Sequence, residues 1–116
     1  DQAWHDDADL SARAQEAAAE AQREAALRQA EVEVLHARRL LEAAWEGAGV
    51  AARAAMESRV ALEQARARYR TGTAPITDIL DLQAASTRAT LSELAARRDL
   101  ILAHAALDLA YGVFDR

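Results

Sequence analysis

The stretch from Arg68 to Asp81, "RYRTGTAPITDILD", decides the fold of this chain. It holds Gly72 and the single proline, Pro75, and lies between two long Ala-rich segments of helical period. Gly72 suits the left-handed position just past a helix end, and Arg66, Arg68 and Arg70 before it favour the negative end of the helix dipole. Thr73 can cap a following helix, whose first turn tolerates Pro75. A connection as short as 71–75 makes its two helices antiparallel neighbours. The expected fold is therefore all-α, a long antiparallel helical hairpin of coiled-coil character.

Composition agrees. Alanine fills 32 of 116 positions, against 4 glycines and 4% aromatic residues, so strands and tight turns have little raw material. Ala, Leu, Arg, Gln and Glu are the strongest helix formers. Alanine buries little area, so a compact globule of this composition would have a thin core, and close-packed helices use it better. The formal net charge is −5, with no Lys and no basic stripe, which argues against nucleic acid as a partner. The absence of Cys excludes disulfides and thiolate chemistry. Neither a signal peptide nor an apolar run of ~20 residues is present.

The expected organisation is a frayed acidic N-terminus over 1–9, a long helix over 10–70, the turn at 71–75, a second helix over 76–112 and a tail at 113–116. One stripe runs unbroken along the first helix: Leu27, Ala30, Val34, Ala37, Leu41, Ala44, Ala48, Ala51, Ala55, Ser58, Leu62, Ala65 and Tyr69. Its alternating spacing of three and four is a heptad seam, and its alanines call for a close partner. The second helix carries two stripes. Leu80, Ala84, Thr87, Leu91, Leu94, Arg98, Ile101 and Ala105 form one; Ala85, Ala89, Ser92, Ala96, Leu100, Ala103, Ala106 and Ala110 form the other. Two faces on one helix call for neighbours on both sides, as in a sheet or barrel of helices. Folding back from Gly72 places the end of the second helix beside residue 35, so residues 10–34 have no partner within the chain.

Candidate chemistry is sparse. "EGAGVAA" fits the G-x-G-x-x-A nucleotide fingerprint at Gly47 and Gly49, but helix-patterned "LLEAAW" precedes it where a strand is required. Small residues at a helix contact, with a local kink, is the preferred reading. Glu33 and His36 make half of a di-iron motif, and the other His in the helices, His104, has Ile101 where a Glu is needed. His5 beside Asp6 and Asp7 reads as an acidic terminus. Trp4, Trp45 and Tyr111 read as packing residues, and Arg97, Arg98 and Asp99 as a solvated face. No Ser lies near a His at helical spacing, so no enzyme activity and no cofactor are expected.

With its residues in view, the segment from Ala65 to Gly112 resembles the periplasmic-end hairpin of the TolC-like outer membrane efflux and secretion channels. The matching features are Tyr69, Gly72, the run Asp78-Ile79-Leu80-Asp81, then Leu91 and Leu94, closing on Leu107 to Gly112. The match covers residues 62–112 closely and 10–61 in character. The resemblance implies a trimeric α-barrel through the periplasm of a Gram-negative cell, joined to a β-barrel in the outer membrane. It implies that Asp78 and Asp81 ring the pore constriction, where a carboxylate repeated by symmetry makes a strong negative field. Tyr69, Gly72 and Thr73 fall at the gating tip, and Arg70, Thr71 and Pro75 where a periplasmic adaptor docks, with an inner-membrane pump beyond it. The family's Arg after Gly-Thr is Ala74 here, so an Arg-based gating link is absent at that position. Family channels are several times longer, with two such repeats and β-strands, so the chain is expected to be one piece of such a protein; the Asp pair favours the second repeat.

Two other readings compete. An adaptor's own α-hairpin has the same coiled-coil character, but its Arg-x-x-x-Leu-x-x-x-x-x-x-Ser tip pattern is not found around Gly72. A stand-alone coiled-coil protein explains the heptads and not the tip. Without the resemblance, Asp78 and Asp81 would simply complement a helix N-terminus, worth ~0.3–1 kcal/mol each.

Overall fold

The computed structural model describes residues 2–112, and over that range the chain is two helices, α1 (Gln2–Arg70) and α2 (Ile76–Gly112). Helix α2 packs back along the C-terminal part of α1, giving an all-α hairpin with a longest extent of 105 Å. Helix α1 takes in the acidic stretch 2–9, expected from its composition to fray, and passes without a break through Gly47 and Gly49. The 113–116 tail lies outside the described residues.

The α1 seam is the one the heptads define. From Ala30 to Ala65 every member of the 3–4 stripe is buried or half-buried, and Ala55 is fully buried. Only the two ends, Leu27 and Tyr69, are exposed. Alanine at seven of these eleven positions lets the helix backbones approach closely, so much of the burial is obtained from backbone and Cβ rather than from large side chains.

The seam of α2 differs from both expected stripes. It runs Ile79, Leu82, Ser86, Ala89, Glu93, Ala96, Leu100, Ala103, Leu107 and Ala110, again alternating three and four, and every member is buried or half-buried. Of the small-residue stripe, Ala89, Ala96, Leu100, Ala103 and Ala110 belong to it, whereas Ser92 and Ala106 are exposed. The large-residue stripe of Leu80, Leu91, Leu94 and Ile101 lies outside the seam and is exposed throughout, with Ile101 at a groove that Leu41 and Trp45 of α1 also line. The seam carries as many large aliphatic side chains, Ile79, Leu82, Leu100 and Leu107, as the outward stripe, interleaved with Ser86, Glu93 and four alanines.

Beyond the pairing, residues 2–29 of α1 are all exposed. The end of α2 is met where folding back predicts, with Tyr111 beside Val34, Leu35 and Arg38. The charged residues Arg23, Glu20, Glu16 and Arg13 occupy the seam positions just past Leu27, so the apolar stripe ends where the partner ends. At Gly47 an added Cβ would meet no atom within 4 Å, and at Gly49 only the Arg53 guanidinium at 3.7 Å, so neither glycine is required by a close contact in the hairpin.

Candidate functional site: the hairpin tip

The tip is built by the backbone. Gly72 has φ +77°, the one positive φ among the described residues. Its N–H donates to the Tyr69 carbonyl at 3.0 Å, and the Thr73 N–H donates to the Arg68 carbonyl at 2.8 Å. This pair of bonds is the Schellman closure, and it satisfies two of the carbonyls that a helix end leaves open. The Thr71 hydroxyl adds bonds to the Ala67 and Arg68 carbonyls at 3.4 and 3.0 Å.

Thr73 behaves differently from the sequence expectation. Its hydroxyl donates to the Arg68 carbonyl at 3.1 Å and lies 3.1 Å from the Thr71 hydroxyl. It closes α1 instead of capping α2, because the left-handed turn at Gly72 folds it back over the α1 terminus. At the start of α2 the Asp78 N–H donates to the Pro75 carbonyl at 3.2 Å, and Asp78 is the acidic residue of that first turn.

Beneath the turn, Leu62 and Ala65 of α1 pack on Ile79 of α2, with Leu82 against them. Ile79 thus turns inward from the Asp-Ile-Leu-Asp run, while Leu80 is exposed. Asp78 and Asp81 lie one turn apart, both exposed, and neither is ion-paired among the described residues. Tyr69, Arg70, Thr71, Gly72, Thr73 and Pro75 are exposed as well. Arg70 and Arg68 turn their Nε toward carbonyls of their own helix, at Arg66 and Gln64, both at 3.4 Å. The arrangement presents polar side chains at the end of a rigid rod, with two carboxylates on one side of its first returning turn.

A second polar feature lies midway along the hairpin. Glu93 occupies a seam position of α2 and is buried, at 8% exposure. Its carboxylate accepts from Arg59 of α1 at 3.3 Å and from Arg97 at 2.8 Å. Ser58, the neighbouring α1 seam residue, donates to the Ala55 carbonyl at 2.8 Å. Arg97 stays on the solvated face expected of it, 64% exposed, and reaches its guanidinium to Glu93, a site that neither expected stripe of α2 includes. Continuing the 3–4 count from Ile79 through Ala89 lands on it, and Arg97 one turn later is its visible partner.

Of the remaining candidates, Trp4 and Trp45, expected to pack, are instead exposed at 80% and 70%, because neither lies on the α1 seam. Glu33 accepts from Gln29, and the His104 Nδ1 lies 3.3 Å from the Asp108 carboxylate on its own helix. No three His, Asp or Glu side chains converge among the described residues. Gly47 and Gly49 lie inside α1, so the strand-to-helix turn that a nucleotide fingerprint needs does not exist there. No described helix is long and apolar enough to cross a membrane.

Comparison with protein-family models, with curated proteins and with solved structures gave no match to this chain.

Proposed function

We propose that this hairpin is the periplasmic tip of a TolC-like export duct in a Gram-negative outer membrane, forming the gated entrance and docking a periplasmic adaptor that couples it to an inner-membrane pump. The observation that carries the reading is the tip itself. The Tyr69-x-x-Gly72 closure, followed by Asp78-Ile79-Leu80-Asp81, sits at the turn between two long antiparallel helices, with both carboxylates exposed. A second support is the outward face of α2, where Leu80, Leu91, Leu94 and Ile101 are more than half exposed. Faces of that kind, on the side opposite a filled seam, call for further helices alongside, as in the wall of a barrel. The action is conduction and gating, with no bond made or broken.

In this reading Asp78 and Asp81, repeated by three-fold symmetry, concentrate negative potential in the narrowest part of the pore. Tyr69, Gly72 and Thr73 set the shape of the tip, and Arg70, Thr71 and Pro75 are offered to the adaptor. The test is bilayer conductance of the complete channel that carries this hairpin. Changing both aspartates to Asn should weaken cation preference and block by divalent cations. Unaltered selectivity and block would sink the pore role.

A further inference from the structure

We propose that the outward face of α2 is a self-association surface, on which a second copy of this chain docks antiparallel to form a symmetric dimer. The face consists of Leu80, Ala84, Thr87, Leu91, Leu94, Arg98, Ile101 and Ala105, all exposed in the single hairpin. Their spacing alternates four and three, so they form a second heptad seam outside the α1–α2 seam, with Ile101 at the edge of the groove that Leu41 and Trp45 of α1 line.

What identifies the occupant is the order of side-chain sizes. Laid antiparallel about a point between Leu91 and Leu94, the face meets itself as Leu80 against Ala105, Ala84 against Ile101, Thr87 against Arg98, and Leu91 against Leu94. Outer layers match a large side chain with a small one, and the central layer is leucine on leucine. The interface is therefore widest once, at the adjacent leucine layers of its centre, and narrows symmetrically to either side, so two straight helices can follow it along their length. The one charged member, Arg98, meets the Thr87 hydroxyl and not a second charge. Flanking positions bring no like charges together: Asp81 falls beside Leu102, and Arg88 beside Ala95. A parallel pairing fails on both counts. It sets Ala84 against Ala84 and leucines against leucines, giving uneven layers, and it stacks Arg98 on Arg98.

The antiparallel contact is isologous, the commonest arrangement for a homodimer, and it closes on itself without leaving a copy of the face open. Each α1 lies on the far side of its own α2, so the dimer is a layer of four helices, α1-α2-α2-α1, with the two tips at opposite ends. The inference does not rest on the export reading; in a channel wall the same face would carry a neighbouring helix, and the dimer is what the chain forms by itself.

Sedimentation equilibrium of the 116-residue chain tests this first. The expected mass is twice the 12.6 kDa of one chain, and Leu94→Glu should halve it while the helical circular dichroism is kept, because Leu94 is 55% exposed and outside the α1 seam. A wild-type mass of 12.6 kDa across the concentration range would overturn the dimer, as would an unchanged mass for Leu94→Glu. Orientation is read separately by mixing Leu80→Cys and Ala105→Cys chains, which carry no other cysteine. The mixed disulfide should outnumber either like-with-like disulfide; a predominance of like-with-like species would mean a parallel contact and would overturn the proposal. A monomer would leave the export reading untouched, since that reading is decided by conductance.

Discussion

Arg59 of α1 reaches across the seam to Glu93 of α2 at 3.3 Å, and this is the one ion pair that joins the two helices among the described residues. Its two ends differ in environment: the Glu93 side chain is 11% exposed and that of Arg59 55%. Arg97, one turn along α2, supplies the second cation at 2.8 Å. A carboxylate in an alanine seam has lost most of its water, and the two guanidiniums replace it.

Removing one partner should therefore cost more than the exposed geometry of Arg59 suggests. Arg59→Ala should lower stability by about 1 kcal/mol, between the values for a surface pair and for a broken buried pair. Glu93→Leu should be neutral or stabilising, because an apolar side chain suits a seam position and leaves both arginines free to reach water. Urea unfolding of the two variants decides it. If Glu93→Leu proves the more damaging of the two, the carboxylate contributes more than its replacement by packing.

At Gly72 the φ of +77° and the open space beside the Cα separate two effects. Nothing within 4 Å would clash with a Cβ, so any loss in Gly72→Ala comes from the left-handed backbone alone. The expected cost is about 1–2 kcal/mol, with Gly72→Asn milder because Asn tolerates that region better. Equal effects of Ala and Asn in thermal unfolding would contradict this account.

Gly47 should respond in the opposite direction. It lies in the interior of α1 with open space where a Cβ would go, so Gly47→Ala should stabilise by about 0.5–1 kcal/mol. A loss of stability in chemical denaturation would show that the glycine serves a contact outside the hairpin.

Ala55, fully buried, tests the closeness of the seam. Ala55→Leu adds three carbons where the helices touch, and it should destabilise by about 1–3 kcal/mol despite its greater hydrophobicity. A stabilised variant would mean that the helices part easily and that close approach is not what the alanines provide.

The α1 seam is legible in the sequence because only one face of that helix keeps an unbroken 3–4 spacing of small and apolar residues, and burial follows it from Ala30 to Ala65. The Gly72 stop is equally legible, since one glycine among strong helix formers leaves few other places to turn. The α2 seam is not. Leu80, Leu91, Leu94 and Ile101 draw the eye as a core, yet the face that packs on alanine is the one with Ser86, Ala89 and Glu93. A charge at the centre of that face masks its period, and only the partner cations at Arg59 and Arg97 account for its position. Thr73 misleads for a related reason: the left-handed turn sends its hydroxyl backward, which residue type alone does not reveal.

The tip closure also carries a consequence for how the chain reaches this shape. Bringing two points of a chain together costs entropy that rises with the length between them. Ala65 and Ile79 meet across the short turn, whereas Val34 and Tyr111 meet only after nearly the whole hairpin has been traversed. Folding should begin at Gly72 and run outward like a zip, one heptad after another, with the far end the last to join. In that order Gly72→Ala slows folding and leaves the unfolding rate nearly unchanged, while substitutions beside Tyr111 do the reverse.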